Sequence, residues 1–196
     1  INTVYDAPMS LQSTDPVTNP LYYLDYLEFV LEFVRARYSD VLNFNEQQIL
    51  DRFFACSLNA RALYARLLTR KPVYFRVDKL AYSEIDHLSS AIDELVQFQF
   101  LELAVPSRRD LNVLMRSKAE LKSCGALGAL GLIQANRQDI DDALLVSNYE
   151  LPNLSIVRQR KRGVMSICQH LFFGNPHQHL DEFVRTDLGQ QTFESV

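Results

Sequence analysis

The sequence predicts a mostly α-helical fold: a helix-turn-helix or winged-helix-like region with a short β wing, then a helix-extended loop-helix unit and further helices. Two observations support this fold. Apolar residues recur at helical spacing through most of the chain, and one segment near residue 75 alternates apolar and polar residues instead. The 196 residues are 47% apolar and 22% charged, which is the composition of a globular protein that needs no metal or disulfide to form a core.

The chain begins with two helices. The first is predicted over residues 21–37, because apolar residues lie three or four positions apart at Leu24, Leu27, Val30, Leu31 and Val34. Asn43 is followed three residues later by Glu46, which is the spacing of a capping box. We therefore expect a second helix to begin at Asn43.

A third helix and a small wing complete the first half. The helix is predicted to open at Ser57 or Asn59 and to end at Pro72, which cannot continue it. VYFRV then has the period of a half-buried strand. A further helix is predicted from Ser83, and FLELA is predicted to be a short strand. Three helices, strand, helix and strand fit a helix-turn-helix variant with a wing, which we place over residues 21–105.

The second half is predicted to contain short helices. Capping-box spacings begin at Ser107, Ser117 and Asn136, within a helix-extended loop-helix unit over residues 106–148. GALGALG repeats glycine every third residue. Because this repeat lacks both the Lys-Ser/Thr of a P-loop and the GxGxxG spacing, we interpret the glycines as turns and close-packing positions.

The two ends of the chain are predicted to lie outside these regions. Residues 1–20 are acidic and polar, typical of a tail rather than a signal peptide. Residues 149–196 are interpreted as a linker and the start of a following helical region, with a helix over 164–173 that ends at Gly174. The chain stops at TFESV, directly after a segment rich in core-type residues, so we expect it to be a fragment of a longer protein. No apolar stretch reaches the roughly 18 residues of a membrane span, and we expect no membrane partner.

The net charge of -4 conceals blocks of alternating sign. Residues 1–51 carry eight acids and two bases, whereas residues 52–82 carry seven bases and one acid. Residues 83–104 are acidic, residues 105–122 are net basic, and RQRKR at 158–162 adds four positive charges. Phosphates respond to local potential, so the basic blocks are candidates for nucleic-acid contact. The alternative is that they are solvated helix faces balanced by acidic neighbours.

Catalytic and metal-binding patterns are weak in this sequence. Three acidic residues cluster at a predicted helix start, where carboxylates favour the helix dipole: Asp139, Asp141 and Asp142. His177 and His179 lack further convergent ligands, and we interpret them as surface residues. Cys168 and His170 lie two positions apart and point to different helix faces. The three separated cysteines fit neither a disulfide framework nor a zinc site, which favours an intracellular location.

The strongest candidate for a binding site is the basic segment 61–82, in which basic residues alternate with tyrosines. Arginine and lysine hold phosphates, and tyrosine can stack on an unpaired base. The candidate DNA-binding residues are Arg61, Arg66, Arg70, Lys71, Arg76, Lys79 and Tyr82. The alternative for the tyrosines Tyr64, Tyr74 and Tyr82 is that they pack in the core.

Three segments resemble, in the same order, the N-terminal half of the Fanconi-anaemia-associated nuclease family, particularly its bacterial members. They are PLYYLDYLEFVLEFV, LYARLLTRKPVYFRVDKLAYSEI and HLFFGNPHQHLDEFVRTDLG. The resemblance implies a helix-turn-helix-like DNA-binding region, a SAP-like module over 106–148, a helical-repeat region and a C-terminal VRR-type nuclease domain. It also implies that Arg66 and Lys71 contact phosphates and that Tyr82 lies near the junction of duplex and flap.

The resemblance implies a structure-specific 5′-flap endonuclease or exonuclease that acts in DNA repair, including interstrand-crosslink repair. This chain is expected to hold branched or flapped DNA and to contact the C-terminal nuclease region of the same protein. Mg²⁺ or Mn²⁺ is expected in the intact enzyme only, since no catalytic motif of the family is found in this chain. The SAP-like loop departs from the family because it has few basic residues.

Two further expectations complete the sequence-based interpretation. The implied location is the bacterial cytoplasm, with the nucleoid, or the nucleus in a eukaryote. The alternative function is a non-catalytic scaffold for protein interactions, in which the charged blocks dock on one another or on a partner.

Overall fold

The computed structural model describes residues 19–104 and 113–174, and it confirms a mostly helical fold with a small sheet. The helices are α1 Tyr22–Arg37, α2 Phe44–Ala55, α3 Leu58–Leu68, α4 Leu88–Gln97, α5 Lys118–Ser123, α6 Ala126–Ala129, α7 Arg137–Val146 and α8 Arg162–Phe173. The strands are β1 Tyr74–Arg76, β2 Leu101–Leu103 and β3 Ile156–Gln159, and a short 3-10 helix covers Val77–Lys79.

The chain divides into two compact units that interleave along the sequence. Of the described residues, unit 1 contains 19–73, 81–102 and 159–174. Unit 2 contains 74–80, 103–104 and 113–158.

Unit 1 is a helical bundle with its own aromatic core. Helix α1 packs against α3 and α8, and α3 packs against α4. The apolar positions that predict α1 are all fully buried: Leu24, Leu27, Val30, Leu31 and Val34. The rings of Tyr64 and Phe100 meet edge to face with centroids 5.0 Å apart, and Phe53 packs beside both. The helical spacing in the sequence therefore maps directly onto the packed face.

Side-chain caps begin the second and third helices. The Glu46 N–H donates to Asn43 Oδ1 at 3.0 Å, and the Asn43 N–H donates back to Glu46 Oε2 at 2.9 Å. This reciprocal pair is the predicted capping box. Ser57 begins α3, and its Oγ accepts the Ala60 N–H at 3.3 Å. Helix α3 ends at Leu68, four residues before Pro72.

The start of α4 differs from the sequence prediction. A helix from Ser83 is wrong, because α4 begins at Leu88. His87 has a φ of 52°, in the left-handed region, and a residue in that conformation cannot continue a right-handed helix. Residues 83–87 therefore form a turn, and Glu84 lies in it.

Unit 2 has a separate small core beside a strand pair. β1 and β3 are antiparallel, with Phe75 opposite Val157. The core of the helical part is formed by Val113, Leu121, Ala126, Leu127, Ile140 and Leu144. This helix-loop-helix arrangement follows the predicted order of short helices.

The predicted caps of unit 2 are present where the structure describes them. Ser117 and Glu120 form the full capping box of α5, whereas at α7 the Asn136 side chain accepts the Asp139 N–H without the reciprocal bond of a capping box. Gly125 and Gly131 have φ values of 82° and 68°, which favour glycine and confirm the interpretation of these two as turn residues. Gly128 lies within α6, and no atom is within 4 Å of a Cβ built there, so the prediction of close packing is wrong at this position. The predicted cap at Ser107 lies outside the described residues.

Candidate nucleic-acid interface

The seven candidate DNA-binding residues fall in both units. Unit 1 contains Arg61, Arg66, Arg70, Lys71 and Tyr82, whereas unit 2 contains Arg76 and Lys79. Their structural environments differ widely, so the sequence-based set separates into residues with internal partners and residues that face solvent.

Arg66 is held between a carboxylate and an aromatic ring. Its Nε and Nη2 both donate to Glu84 Oε1, at 2.8 and 2.6 Å. The guanidinium carbon lies 3.8 Å from the centroid of the Tyr23 ring, a cation–π contact. The Tyr23 hydroxyl donates to the same Glu84 oxygen at 3.4 Å, and burial raises the pKa of Tyr23 to about 12. Arg66 is therefore neutralised within unit 1.

Glu84 is a residue of this site that the sequence analysis did not single out. Only 10% of its side chain is exposed. Burial alone raises the pKa of a carboxyl, but hydrogen bonds from its own backbone N–H and from Arg66 outweigh burial, so the pKa of Glu84 is lowered. The carboxylate is therefore charged at neutral pH, and it balances the nearest arginine.

Tyr82 and Arg70 form a second, more open contact. The Arg70 guanidinium carbon lies 5.3 Å from the centroid of the Tyr82 ring, and Arg70 and Lys71 are exposed. Tyr82 is half-buried, and burial raises its pKa. Its hydroxyl oxygen is inaccessible and has no hydrogen-bond partner within residues 19–104 and 113–174. We name Arg70, Lys71 and Tyr82 the cationic surface.

The remaining candidates of the basic segment contact carboxylates. In unit 1, Arg61 Nη1 lies 2.7 Å from Glu28 Oε1, and both side chains are mostly buried. In unit 2, only 8% of the Arg76 side chain is exposed, and Arg76 pairs with Asp78 at 2.6 Å and with Glu120 at 2.8 Å. Lys79 Nζ lies 3.2 Å from Glu120 Oε1.

Ion pairing therefore divides the predicted set. Arg61, Arg66, Arg76 and Lys79 are paired, whereas Arg70 and Lys71 have no ion pair among the described residues. DNA contact by any of the seven stays a prediction at this point.

The basic run at 158–162 is also used internally. Within unit 2, the Arg158 guanidinium lies 5.8 Å from the Tyr74 ring centroid. Within unit 1, Arg160 forms an ion pair with Glu102, and Arg162 donates to backbone carbonyls at the end of α3. The Glu102 carboxylate balances Arg160, as the alternative of acidic neighbours predicts, whereas the acceptors of Arg162 are neutral.

The tyrosines take different roles. Tyr64 is fully buried, and its hydroxyl donates to the Arg160 carbonyl at 2.6 Å, so Tyr64 is a core residue. Tyr74 is half-buried on β1. Tyr74 and Tyr82 each contact an exposed arginine, Arg158 and Arg70 respectively. A second exposed cation, Lys71, directly follows Arg70, and this makes Tyr82 the candidate for stacking on a base.

Within residues 19–104 and 113–174, no three His, Cys, Asp or Glu side chains lie close enough together to hold a metal ion. The acidic residues at the start of α7 have other partners: Arg137 Nε lies 2.9 Å from Asp141, and Gln138 donates to Asp142 at 3.1 Å. His177 and His179 lie outside the described residues. Within the described ranges, none of the helices has the length and apolar character to span a bilayer.

In unit 1, α1 is followed by α2 and α3, which have side-chain caps, in the helix order predicted for a helix-turn-helix protein. Residues 21–102 match the family model described as FAN1, HTH domain. This part of the chain is therefore similar to the helix-turn-helix domain of the Fanconi-associated nucleases, the family that the three sequence segments resemble.

Curated relatives cover different shares of this chain. It is 29% identical to the Fanconi-associated nuclease 1 homolog of Pseudomonas aeruginosa over 98% of the chain and 36% of that protein. It is 34% identical to Fanconi-associated nuclease 1 of Homo sapiens over 63% of the chain and 13% of the human protein. The chain thus spans about a third of the bacterial relative and a smaller part of the human one.

Solved structures show the same fold. The crystal structure of paFAN1 bound to 2nt 5′flap DNA with gap matches with a TM-score of 0.76 and 24% identity, over 91% of this chain and 34% of that one. The crystal structure of paFAN1 bound to 1nt 5′flap DNA with gap matches with a TM-score of 0.75. Because the sequence identity is only 24%, the similarity to these structures is evidence for the fold of this chain alone.

Proposed function

We propose that this chain is the DNA-holding part of a structure-specific nuclease that acts on 5′-flapped or branched DNA in repair. The proposal is supported by the match to the FAN1 helix-turn-helix model and by the flap DNA bound in the paFAN1 structures. The observation that carries it is the cationic surface, where an exposed arginine lies over a half-exposed tyrosine ring and a second exposed cation follows in the chain.

The chemistry of this surface suits a DNA end or branch point. Arg70 and Lys71 have no carboxylate partner among the described residues, so a phosphate does not have to displace one. The ring of Tyr82 offers a face for an unpaired base, and stacking of this kind does not depend on base identity. Together they favour recognition of DNA shape over sequence.

The other parts of the proposed enzyme follow from the resemblance. The helices of unit 2 within 106–148 are proposed to be a SAP-like module. Cleavage, with Mg²⁺ or Mn²⁺, is proposed to belong to the C-terminal nuclease region of the intact protein, which this chain would contact. The described residues offer no cluster for the metal, so we assign no cleavage step to them.

The test is a binding titration of this chain with 5′-flapped and plain duplex DNA over a range of salt concentrations. We expect R70Q/K71Q to weaken flap binding and to reduce the slope of log affinity against log salt by about two, because each lost phosphate contact removes roughly 0.9. A matched control is R35Q/R37Q, which removes two exposed arginines of α1.

The control should bind flapped DNA as the wild type does. Equal losses in both double variants would show that only total charge matters and would contradict the proposed surface. A wild-type chain that binds no DNA, but is retained by a protein partner, would favour the scaffold alternative. Flap cleavage by this chain alone with added Mn²⁺ would contradict the assignment of cleavage to another region.

A further inference from the structure

Arg162 joins the start of α8 to the end of α3. Its Nη1 donates to the Arg70 carbonyl at 3.0 Å, and its Nη2 donates to the Leu68 carbonyl at 3.2 Å. The same Nη1 also donates to Gln159 Oε1 at 2.6 Å. Both terminal nitrogens of Arg162 are therefore committed to protein acceptors, and two of these acceptors lie in the backbone next to the cationic surface.

The last carbonyls of a helix have no partner within the helix. Local donors reach two of the last carbonyls of α3: the Thr69 hydroxyl donates to the Arg66 carbonyl at 2.9 Å, and the Arg70 N–H donates to the Leu67 carbonyl at 3.2 Å. The Leu68 carbonyl accepts from Arg162 instead. Thr69, the C-cap, is right-handed with a φ of -74°, so no glycine motif closes this end. Arg66 is the basic residue of the last turn, but its side chain is bound to Glu84. The cation that reaches the end of α3 comes from elsewhere in the chain.

Local preferences do not explain the position of Arg162. It is the first residue of α8, where the helix dipole disfavours a positive charge. Lys161 before it has a φ of 64°, a conformation that side-chain-bearing residues rarely adopt. The positive charge at the start of α8 and the positive φ of Lys161 are both locally destabilising. The hydrogen bonds from Arg162 to the end of α3 offset this cost.

We propose that Arg162 is a positioning residue for DNA binding, one that fixes the backbone carrying Arg70 and Lys71 without contacting a phosphate itself. This inference rests on the proposed function. A guanidinium can bridge two carbonyls and a side-chain amide, whereas an ammonium is a single point charge that cannot span the same acceptors. Geometry, rather than charge alone, is therefore what Arg162 contributes.

The experiment compares R162K, R162Q and the neighbouring charge-removal variant K161Q on 5′-flapped DNA. We expect R162K and R162Q to lose affinity alike, by about tenfold, which is the size of one lost charge-assisted contact. K161Q should bind within about twofold of the wild type, since the half-buried Lys161 side chain has no hydrogen bond or ion pair among the described residues and does not reach the end of α3. If Arg162 instead contacted a phosphate directly, R162K would keep most of the affinity, and that result would overturn the inference.

Two further measurements separate positioning from general destabilisation. In a double-mutant cycle, K71Q should cost much less affinity in the R162K background than in the wild type, because Lys71 is already displaced there. The Arg70 amide, which donates to the Leu67 carbonyl at 3.2 Å, should exchange faster with solvent in R162K and not in K161Q, even without DNA. Additive losses in the cycle, or unchanged exchange at Arg70, would overturn the inference.

The proposed function fails separately from this inference. If the wild-type chain does not bind flapped DNA, the proposed function is wrong and the positioning role falls with it. If the wild type binds and R162K binds equally well, the proposed function stands and the inference alone is wrong.

Discussion

Arg66 donates two hydrogen bonds to one carboxylate oxygen of Glu84, from Nε at 2.8 Å and from Nη2 at 2.6 Å. The pair lies against the Tyr23 ring, and the exposed fractions of the two side chains are 30% for Arg66 and 10% for Glu84. A predicted phosphate contact is thus already occupied by an internal anion. DNA binding through Arg66 would require Glu84 to give up this contact, whereas Arg70 and Lys71 require no such exchange.

The E84Q variant tests the importance of this pair for stability. Glutamine keeps the size of the side chain but removes the charge that balances Arg66. We expect the free energy of unfolding to fall by about 1–3 kcal/mol, as for loss of a charge-assisted hydrogen bond in a partly buried site. Urea denaturation at pH 7 measures the change, and an unchanged midpoint would contradict it.

The same pair predicts a pH dependence. The folded-state pKa of Glu84 is lowered from 4.5, so its contribution is complete above pH 4.5 and is lost as the pH falls through the lower folded pKa. The stability difference between wild type and E84Q should therefore shrink below pH 4.5. A difference that stays constant from pH 7 to pH 3 would show that Glu84 is not linked to folding in this way.

Tyr64 provides a prediction for the core of unit 1. Its hydroxyl donates to the Arg160 carbonyl at 2.6 Å, and the side chain is fully buried. The Y64F variant should lose about 1–2 kcal/mol of unfolding free energy, because the carbonyl is left without its donor. The flap affinity measured under native conditions should not change. A selective loss of flap binding with unchanged stability would contradict the core assignment.

The helices and their caps could be predicted from the sequence, because the signals are local. The apolar spacing of α1 and the reciprocal bonds of Asn43 and Glu46 involve residues no more than four positions apart. The turn before α4 could not, since the left-handed conformation of His87 leaves no pattern in the residue types.

The paired and unpaired arginines could not be separated from sequence either. Charge counting treats the arginines of the basic segment as equal, but apart from Asp78 beside Arg76 their carboxylate partners are distant in the chain. Glu84 lies 18 residues from Arg66, and Arg162 lies 92 residues from the Arg70 carbonyl that it binds. Periodicity in one sequence carries no information about such pairs, so the sequence predicted the basic segment and not which of its members remain exposed.

Glu120 provides a prediction for unit 2. Its Oε2 accepts the Ser117 N–H at 2.8 Å, and its Oε1 lies 2.8 Å from Arg76 Nη1. The hydrogen bonds from Ser117, followed by those from Lys79 and Arg76, lower the pKa of Glu120 to about 2. The carboxylate therefore completes the cap of α5 and neutralises a buried guanidinium.

Acid titration of E120Q checks this arrangement. A lowered pKa means that the stabilisation is present above pH 4.5 and is lost as the pH falls towards about 2. The methyl resonances of Leu121 and Leu127 report on the unfolding of unit 2. We expect the pH midpoint of acid unfolding to be higher in E120Q than in the wild type. Coincident unfolding curves for the two proteins would contradict the role of Glu120.

Tyr82 provides a prediction that separates its ring from its hydroxyl group. Because the buried hydroxyl has no partner among the described residues, Y82F should be as stable as the wild type or more stable, by up to about 1 kcal/mol.

Y82F should also keep the preference for 5′-flapped over plain duplex DNA, since stacking uses the ring face. Y82L removes the ring but keeps an apolar side chain, so it should lose flap preference while duplex affinity changes little. Chemical denaturation and titrations with the two DNAs measure these effects. Destabilisation of Y82F would indicate a paired hydroxyl, and equal affinity losses of Y82L on both DNAs would indicate that Tyr82 only packs.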